Sequence, residues 1–81
     1  MKLDVQYFAR YREALGLDGE RIEGEFVSIA ALRERLLQRD GVWAVLAEQN
    51  IMCARNQELC SLDEPLFDGD EVAFFPTVTG G

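Results

Sequence analysis

Apolar and polar residues alternate from Lys2 to Phe8, with Leu3, Val5 and Tyr7 on one face and Asp4, Gln6 and Phe8 on the other. That period of two predicts a β-strand. Arg10 to Leu15 carries a short helical pattern, which Gly16 closes because glycine accepts the left-handed conformation that ends many helices. Asp18-Gly19 predicts a turn, and Arg21 to Glu23 a short strand returning beside the first. The strongest helix is expected from Ile29 to about Arg39. Ser28 is a good N-cap, Ile29, Leu32 and Leu36 form one apolar stripe, and Arg33, Glu34 and Arg35 lie off it. Asp40-Gly41 ends that helix. Val42 to Glu48 predicts a further helical turn or two, with Trp43 and Leu46 partly buried.

Met52 to Leu62 predicts a hairpin turning at Asn56-Gln57, which sets Arg55 opposite Glu58 and Cys53 opposite Cys60. The other face is then expected to carry Met52, Ala54 and Leu59 into the core. Pro65-Leu66-Phe67 reads as a loop and Asp68-Gly69-Asp70 as a turn. Glu71 to Phe75 is the last strand, with Val72 and Phe74 on one face and Ala73 and Phe75 on the other. The order is ββ-α-ββ with helical additions. A chain this short can bury one sheet face under one main helix, which makes a two-layer α+β domain. Topological preference places the first and last strands side by side and parallel at the sheet centre. The expected division is a domain over 1–75 and an extended C-terminal tail over 76–81.

Composition narrows the function. The 81 residues are 48% hydrophobic, with five Phe, two Tyr and one Trp, ample for one core and unlike a disordered chain. Fifteen acidic and eight basic side chains leave a formal charge of −7. Phosphate backbones and anionic membranes repel such a surface, so no nucleic-acid or membrane partner is expected, and a basic protein surface is the better complement. Neither a signal-peptide pattern nor an apolar run of membrane-spanning length is present, and a cytoplasmic location is expected. Histidine is absent, which removes the commonest general base and metal ligand.

Three groups of residues invite a chemical reading. Asp68, Asp70 and Glu71 cluster as a metal or catalytic site does, but Asp-Gly-Asp before a strand is ordinary turn chemistry, and that reading is preferred. Cys53 and Cys60 are too few for a four-cysteine metal site and lack the spacing of a thioredoxin-like pair, so reduced structural thiols are expected. Phe8 and Phe75 both point away from the helix-covered face. On neighbouring strands they would make an apolar patch, the usual mark of a docking surface.

The last strand leads into a tail that ends at Gly80-Gly81. Given glycine usage near 7%, chance puts such a pair at a terminus in only about 0.5% of chains. Two residues without Cβ make a slender arm that fits a narrow channel, with an unhindered carboxylate at its tip.

The stretch Leu66-x-Asp68-Gly69-Asp70-Glu71-Val72-Ala73-Phe74-Phe75-Pro76-x-Val78-x-Gly80-Gly81 closely resembles the small subunit of molybdopterin synthase. So do Tyr7-Phe8-Ala9, Arg12-Glu13, Gly16, Ser28 to Leu32 and the turn Asn56-Gln57, so the likeness spans nearly the whole chain. Thr77 departs from it, since that family often has a second proline there. The resemblance implies a ubiquitin-like β-grasp fold, a mixed sheet of four to five strands on one main helix. It also implies a sulfur carrier in molybdenum cofactor biosynthesis. An ATP-dependent activating enzyme, an adenylyltransferase, would adenylate the Gly81 carboxylate, and sulfur transfer would make it a thiocarboxylate. The tail would then enter the active site of a large subunit, within a heterotetramer. There the sulfur attacks cyclic pyranopterin monophosphate, and two rounds build the dithiolene. By this likeness Gly81 is the reactive residue, Gly80, Thr79, Val78 and Pro76 belong to the inserted tail, and Phe75 and Phe8 dock the body. No cofactor is expected on the chain itself, and the active-site side chains are expected on the large subunit.

Two nearby readings share the same tail: a carrier for another pathway, such as thiamine thiazole synthesis, and a ubiquitin-like modifier attached to lysines. A third, an iron–sulfur or redox protein, has only two cysteines to build on.

Overall fold

The computed structural model describes residues 1–77. Strand β1 (Lys2–Tyr7) leads into helix α1 (Ala9–Leu15), then strand β2 (Gly19–Glu23) and helix α2 (Ile29–Leu37). A 3-10 helix over Gly41–Ala47 follows, then β3 (Met52–Arg55), β4 (Glu58–Cys60) and β5 (Glu71–Phe75). The five strands form one sheet in the order β2-β1-β5-β3-β4. β1 and β5 run parallel, with Val5 opposite Val72 and Tyr7 opposite Phe74, and the other neighbours are antiparallel. This is the expected β-grasp, with the last strand at its centre.

Local chemistry explains the boundaries. Ser28 Oγ accepts the Ala31 amide at 3.3 Å and caps α2. Gly16, at φ 67, ends α1 and sends its own N–H to the Arg12 carbonyl at 2.9 Å. Asn56 and Gln57, at φ 50 and 72, make the hairpin turn, both in the left-handed region that a tight two-residue hairpin demands. Helix α2 stops at Leu37, two residues short of the expected end. The amides of Gln38, Arg39 and Asp40 bond to the carbonyls of Arg35, Leu36 and Leu37 at 3.1–3.2 Å, an i to i−3 pattern that tightens the chain out of the α-helix.

One face of the sheet contributes Leu3, Val5, Tyr7, Ile22, Cys53, Val72 and Phe74 to the core, and α2 answers with Ile29, Leu32 and Leu36. Tyr11, Phe26, Leu46, Ile51 and Leu66 join it, Leu46 fully buried where partial burial was expected. Trp43 is half-buried, its ring edge-on to Tyr7 with centroids 5.6 Å apart.

The hairpin faces differ from the expectation. The predicted pairs do form, Arg55 opposite Glu58 and Cys53 opposite Cys60. However, Cys53 also lies opposite Phe74 on β5, which turns Cys53 under the helix. Because side chains alternate, Met52, Ala54 and Leu59 fall on the opposite, helix-free face. Leu59 is 68% exposed there, not in the core.

The Asp-Gly-Asp segment is a structural turn. Asp68 Oδ1 accepts the Lys2 amide at 2.7 Å, and Gly69, at φ 88, donates its N–H to the Lys2 carbonyl at 2.8 Å. Asp70 is nearly buried and fully occupied, accepting from the Phe67 amide at 2.9 Å and from Asn56 Nδ2 at 3.0 Å. Among the described residues no group of three or more acidic or cysteine side chains is placed to hold a metal.

Candidate functional site

The helix-free face of the sheet carries a row of small or apolar residues across β4, β3 and β5, which ends at Gln6 of β1. Register sets Leu59 of β4 opposite Ala54 of β3, Ala54 opposite Ala73 of β5, and Ala73 opposite Gln6 of β1. One row further along β5, Phe75 lies opposite Met52. Phe8 comes just after β1, but its backbone is still extended, at φ −121 and ψ 159. Its N–H donates to the Phe74 carbonyl at 3.1 Å, so Phe8 and Phe75 hold adjacent register positions on the same face. Ala9 then reverses the chain into α1 at φ 53.

The two phenylalanines singled out from sequence are thus brought together, with Phe8 44% exposed and Phe75 half-buried. The structure adds Met52, Ala73 and Leu59 to the same surface. Leu59 was expected in the core because the hairpin alone does not say which of its two faces the helix covers, and the pairing of β3 with β5 makes that choice. The other end of this face is polar. Asp4 pairs with Arg21 at 3.2 Å, and Gln6 Nε2 donates to Glu71 at 3.3 Å. A contiguous apolar patch bordered by charges is the arrangement of a protein docking surface.

β5 carries the chain out of the sheet centre beside this patch. Pro76 is half-buried just past the strand end, and the hydroxyl of Thr77 donates to the carbonyl of Asn50. Gly81, Gly80, Thr79 and Val78 lie outside the described residues.

The segment that receives Thr77 is itself held from two helices. Arg10 Nη1 and Nη2 bond both carboxylate oxygens of Glu48 at 2.5 and 2.7 Å, and Tyr11 Oη donates to the same carboxylate at 2.6 Å. Arg33 of α2 reaches the carbonyls of Leu46 and Glu48 at 2.6 and 2.9 Å. The Arg10 and Tyr11 hydrogen bonds hold the Glu48 carboxyl below its ordinary range. Burial, followed by the bond to Glu48, pushes the Tyr11 hydroxyl up to about 12. None of these groups is placed as a general base near neutral pH. The described residues offer a surface, a tail base and a firm support for it.

Comparison with known proteins fits this picture. The ThiS family model matches residues 5–81. The chain belongs to the ThiS family. It is 44% identical over 80 residues to the molybdopterin synthase sulfur carrier subunit of Escherichia coli, covering 98% of this chain and 99% of that one. A solved structure described as a putative molybdopterin converting factor subunit 1 from Pyrococcus furiosus superposes with a TM-score of 0.78 at 32% identity, covering 96% of this chain and 99% of the other. Another, from Helicobacter pylori, is a complex of subunits 1 and 2 of the molybdopterin-converting factor. Its matched chain aligns over 100% of both chains with a TM-score of 0.69 and 27% identity. The ThiS-family chain described here shares the β-grasp fold of both. No helix among its described residues is long and apolar enough to cross a membrane.

Proposed function

We propose that this chain is the sulfur-carrier subunit of molybdopterin synthase. One observation carries the reading: 44% identity across 98% of the chain to a molybdopterin synthase sulfur carrier subunit. The fold is consistent with that role, since its central strand ends beside an apolar face and sends the chain on toward a Gly-Gly terminus.

The chemistry required of such a carrier is modest. A carboxylate resists nucleophilic attack until its oxygen becomes part of a leaving group. The Gly81 carboxylate therefore attacks the α-phosphate of ATP on an adenylyltransferase, releasing pyrophosphate and forming an acyl adenylate. A sulfur nucleophile then displaces AMP and leaves a thiocarboxylate. Phe8, Phe75, Met52 and Leu59 dock the body against the large subunit. Pro76, Val78, Thr79 and Gly80 belong to the arm that brings Gly81 to cyclic pyranopterin monophosphate. Tethering a soft nucleophile in this way raises its effective concentration without any catalytic side chain from the carrier. ATP is consumed on the activating partner, no cofactor resides on this chain, and the work takes place in the cytoplasm.

Intact-mass measurement tests the reading. Incubation with ATP, a cognate activating enzyme and a sulfur source should replace one oxygen by sulfur, mapped to the Gly81 peptide. A mass that never changes with competent enzyme present overturns it. A ladder of lysine conjugates in lysates would instead favour the protein-modifier reading.

A further inference from the structure

The base of the tail is held by a contact that the sequence pattern does not provide for. Position 77, just after Pro76, is a threonine. A proline there would fix φ and stiffen the chain by covalent geometry alone. Threonine does not, yet its hydroxyl finds the Asn50 carbonyl. We infer that Thr77 is a positioning residue: its hydrogen bond to Asn50 fixes the direction in which the chain leaves the domain toward the reactive terminus.

The acceptor makes the contact effective. Asn50 sits between the 3-10 helix and β3, and the residues just before it are held by Arg10, Tyr11 and Arg33. On its other side the chain continues within two residues into Met52, which is paired with Phe75. The segment that carries this carbonyl is therefore held from α1 and α2 on one side and from the sheet on the other. A hydrogen bond to such a support removes backbone freedom at the tail base before docking, and binding then forfeits less entropy when the tail is inserted. An open cleft lined by Arg10, Glu48, Gln49, Asn50 and Thr77 leaves this contact at the surface, where substitution at position 77 leaves the core untouched.

The inference rests on the sulfur-carrier reading, and one experiment separates their failures. Wild type and the variants Thr77→Val, Thr77→Ser and Thr77→Pro are prepared directly as thiocarboxylates. Each is mixed with the large subunit and cyclic pyranopterin monophosphate under single-turnover conditions. Thr77→Val keeps the branched shape and loses the donor. Its second-order transfer constant should fall about three- to tenfold, the span that one net hydrogen bond supplies. Thr77→Ser should restore the rate through the hydroxyl and Thr77→Pro through the ring, with all four melting temperatures alike. In the isolated carrier, 15N relaxation should show a lower order parameter at the position-77 amide in Thr77→Val than in wild type or Thr77→Ser. Equal transfer and equal order in Thr77→Val overturn the positioning role while wild-type transfer still supports the carrier reading. Absence of transfer by the wild type overturns the carrier reading itself, and the relaxation comparison still decides whether the contact orders the chain.

Discussion

Phe75 of β5 lies directly opposite Met52 of β3, on the sheet face that no helix covers. Its ring therefore belongs to the apolar patch while its backbone stays in the central ladder. Phe75→Ala leaves those backbone bonds in place and removes a half-buried ring at the point where the chain leaves the sheet. Affinity for the large subunit should fall by on the order of 2 kcal/mol, as for an aromatic anchor. Titration calorimetry measures this directly, and an unchanged dissociation constant removes Phe75 from the interface.

Acid lability follows from a second network. Tyr7 Oη donates to Glu20 at 2.9 Å, and Arg39 bonds both oxygens of the same carboxylate at 2.8 and 3.1 Å. Burial pushes the Glu20 carboxyl up, but the bonds from Arg39 and Tyr7 together bring it below its ordinary value. A carboxyl depressed in the folded state stabilises the protein above its unfolded value of about 4.3, and that contribution is lost as pH falls through the folded value. Tyr7→Phe keeps the ring packing and should cost about 1–2 kcal/mol at pH 7. The loss should shrink as pH falls through the depressed folded value of Glu20. Urea unfolding followed from pH 7 down into the acid range tests this, and a loss that does not change with pH places the cost in packing.

Much of this molecule is legible residue by residue. Ser28 announces α2, Asn56-Gln57 the hairpin turn and Gly69-Asp70 the turn before β5, because each acts through a bond to a neighbour in sequence or through its own φ, whereas the partner of Asp68, the Lys2 amide, is distant in sequence. Alternation within β3 and β4 grouped their residues correctly into two sets but could not say which set faces the helix. That choice is made by pairing with β5, almost twenty residues downstream of β3, and it moved Leu59 from the expected core to the surface. The support beneath the tail was equally hidden. Arg10 and Glu48 are 38 residues apart, and Thr77 and Asn50 are 27. No local pattern marks such partners.

The two cysteines should differ sharply in reactivity. Cys53 is buried under α2, and burial first, then the neighbouring Cys60, pushes its thiol up to about 12. Cys60 is only half-buried. At pH 8 iodoacetamide attacks the thiolate, so Cys60 should label first and Cys53 more than about a hundredfold more slowly until the protein unfolds. Peptide mapping of a timed alkylation reads the two sites separately. Equal rates in the folded protein would mean that β4 opens from the sheet edge faster than labelling proceeds.

Leu59 offers the cleanest separation of docking from folding. It is 68% exposed on β4 and lies opposite Ala54 of β3 on the open face. Leu59→Asn keeps a similar size and should change unfolding free energy by no more than about 0.5 kcal/mol, as for a surface site. If the partner covers this face, the same change forfeits burial of a leucine side chain, worth about 1.5–3 kcal/mol when complete. The expected result is a carrier of unchanged melting temperature, charged normally at Gly81, whose affinity for the large subunit is at least about tenfold weaker. Weakened binding by both Leu59→Asn and Phe75→Ala would extend the footprint from the tail exit to the far edge of the sheet. Weakened binding by Phe75→Ala alone would confine it to the strand that leads into the tail, leaving Leu59 as incidental exposure.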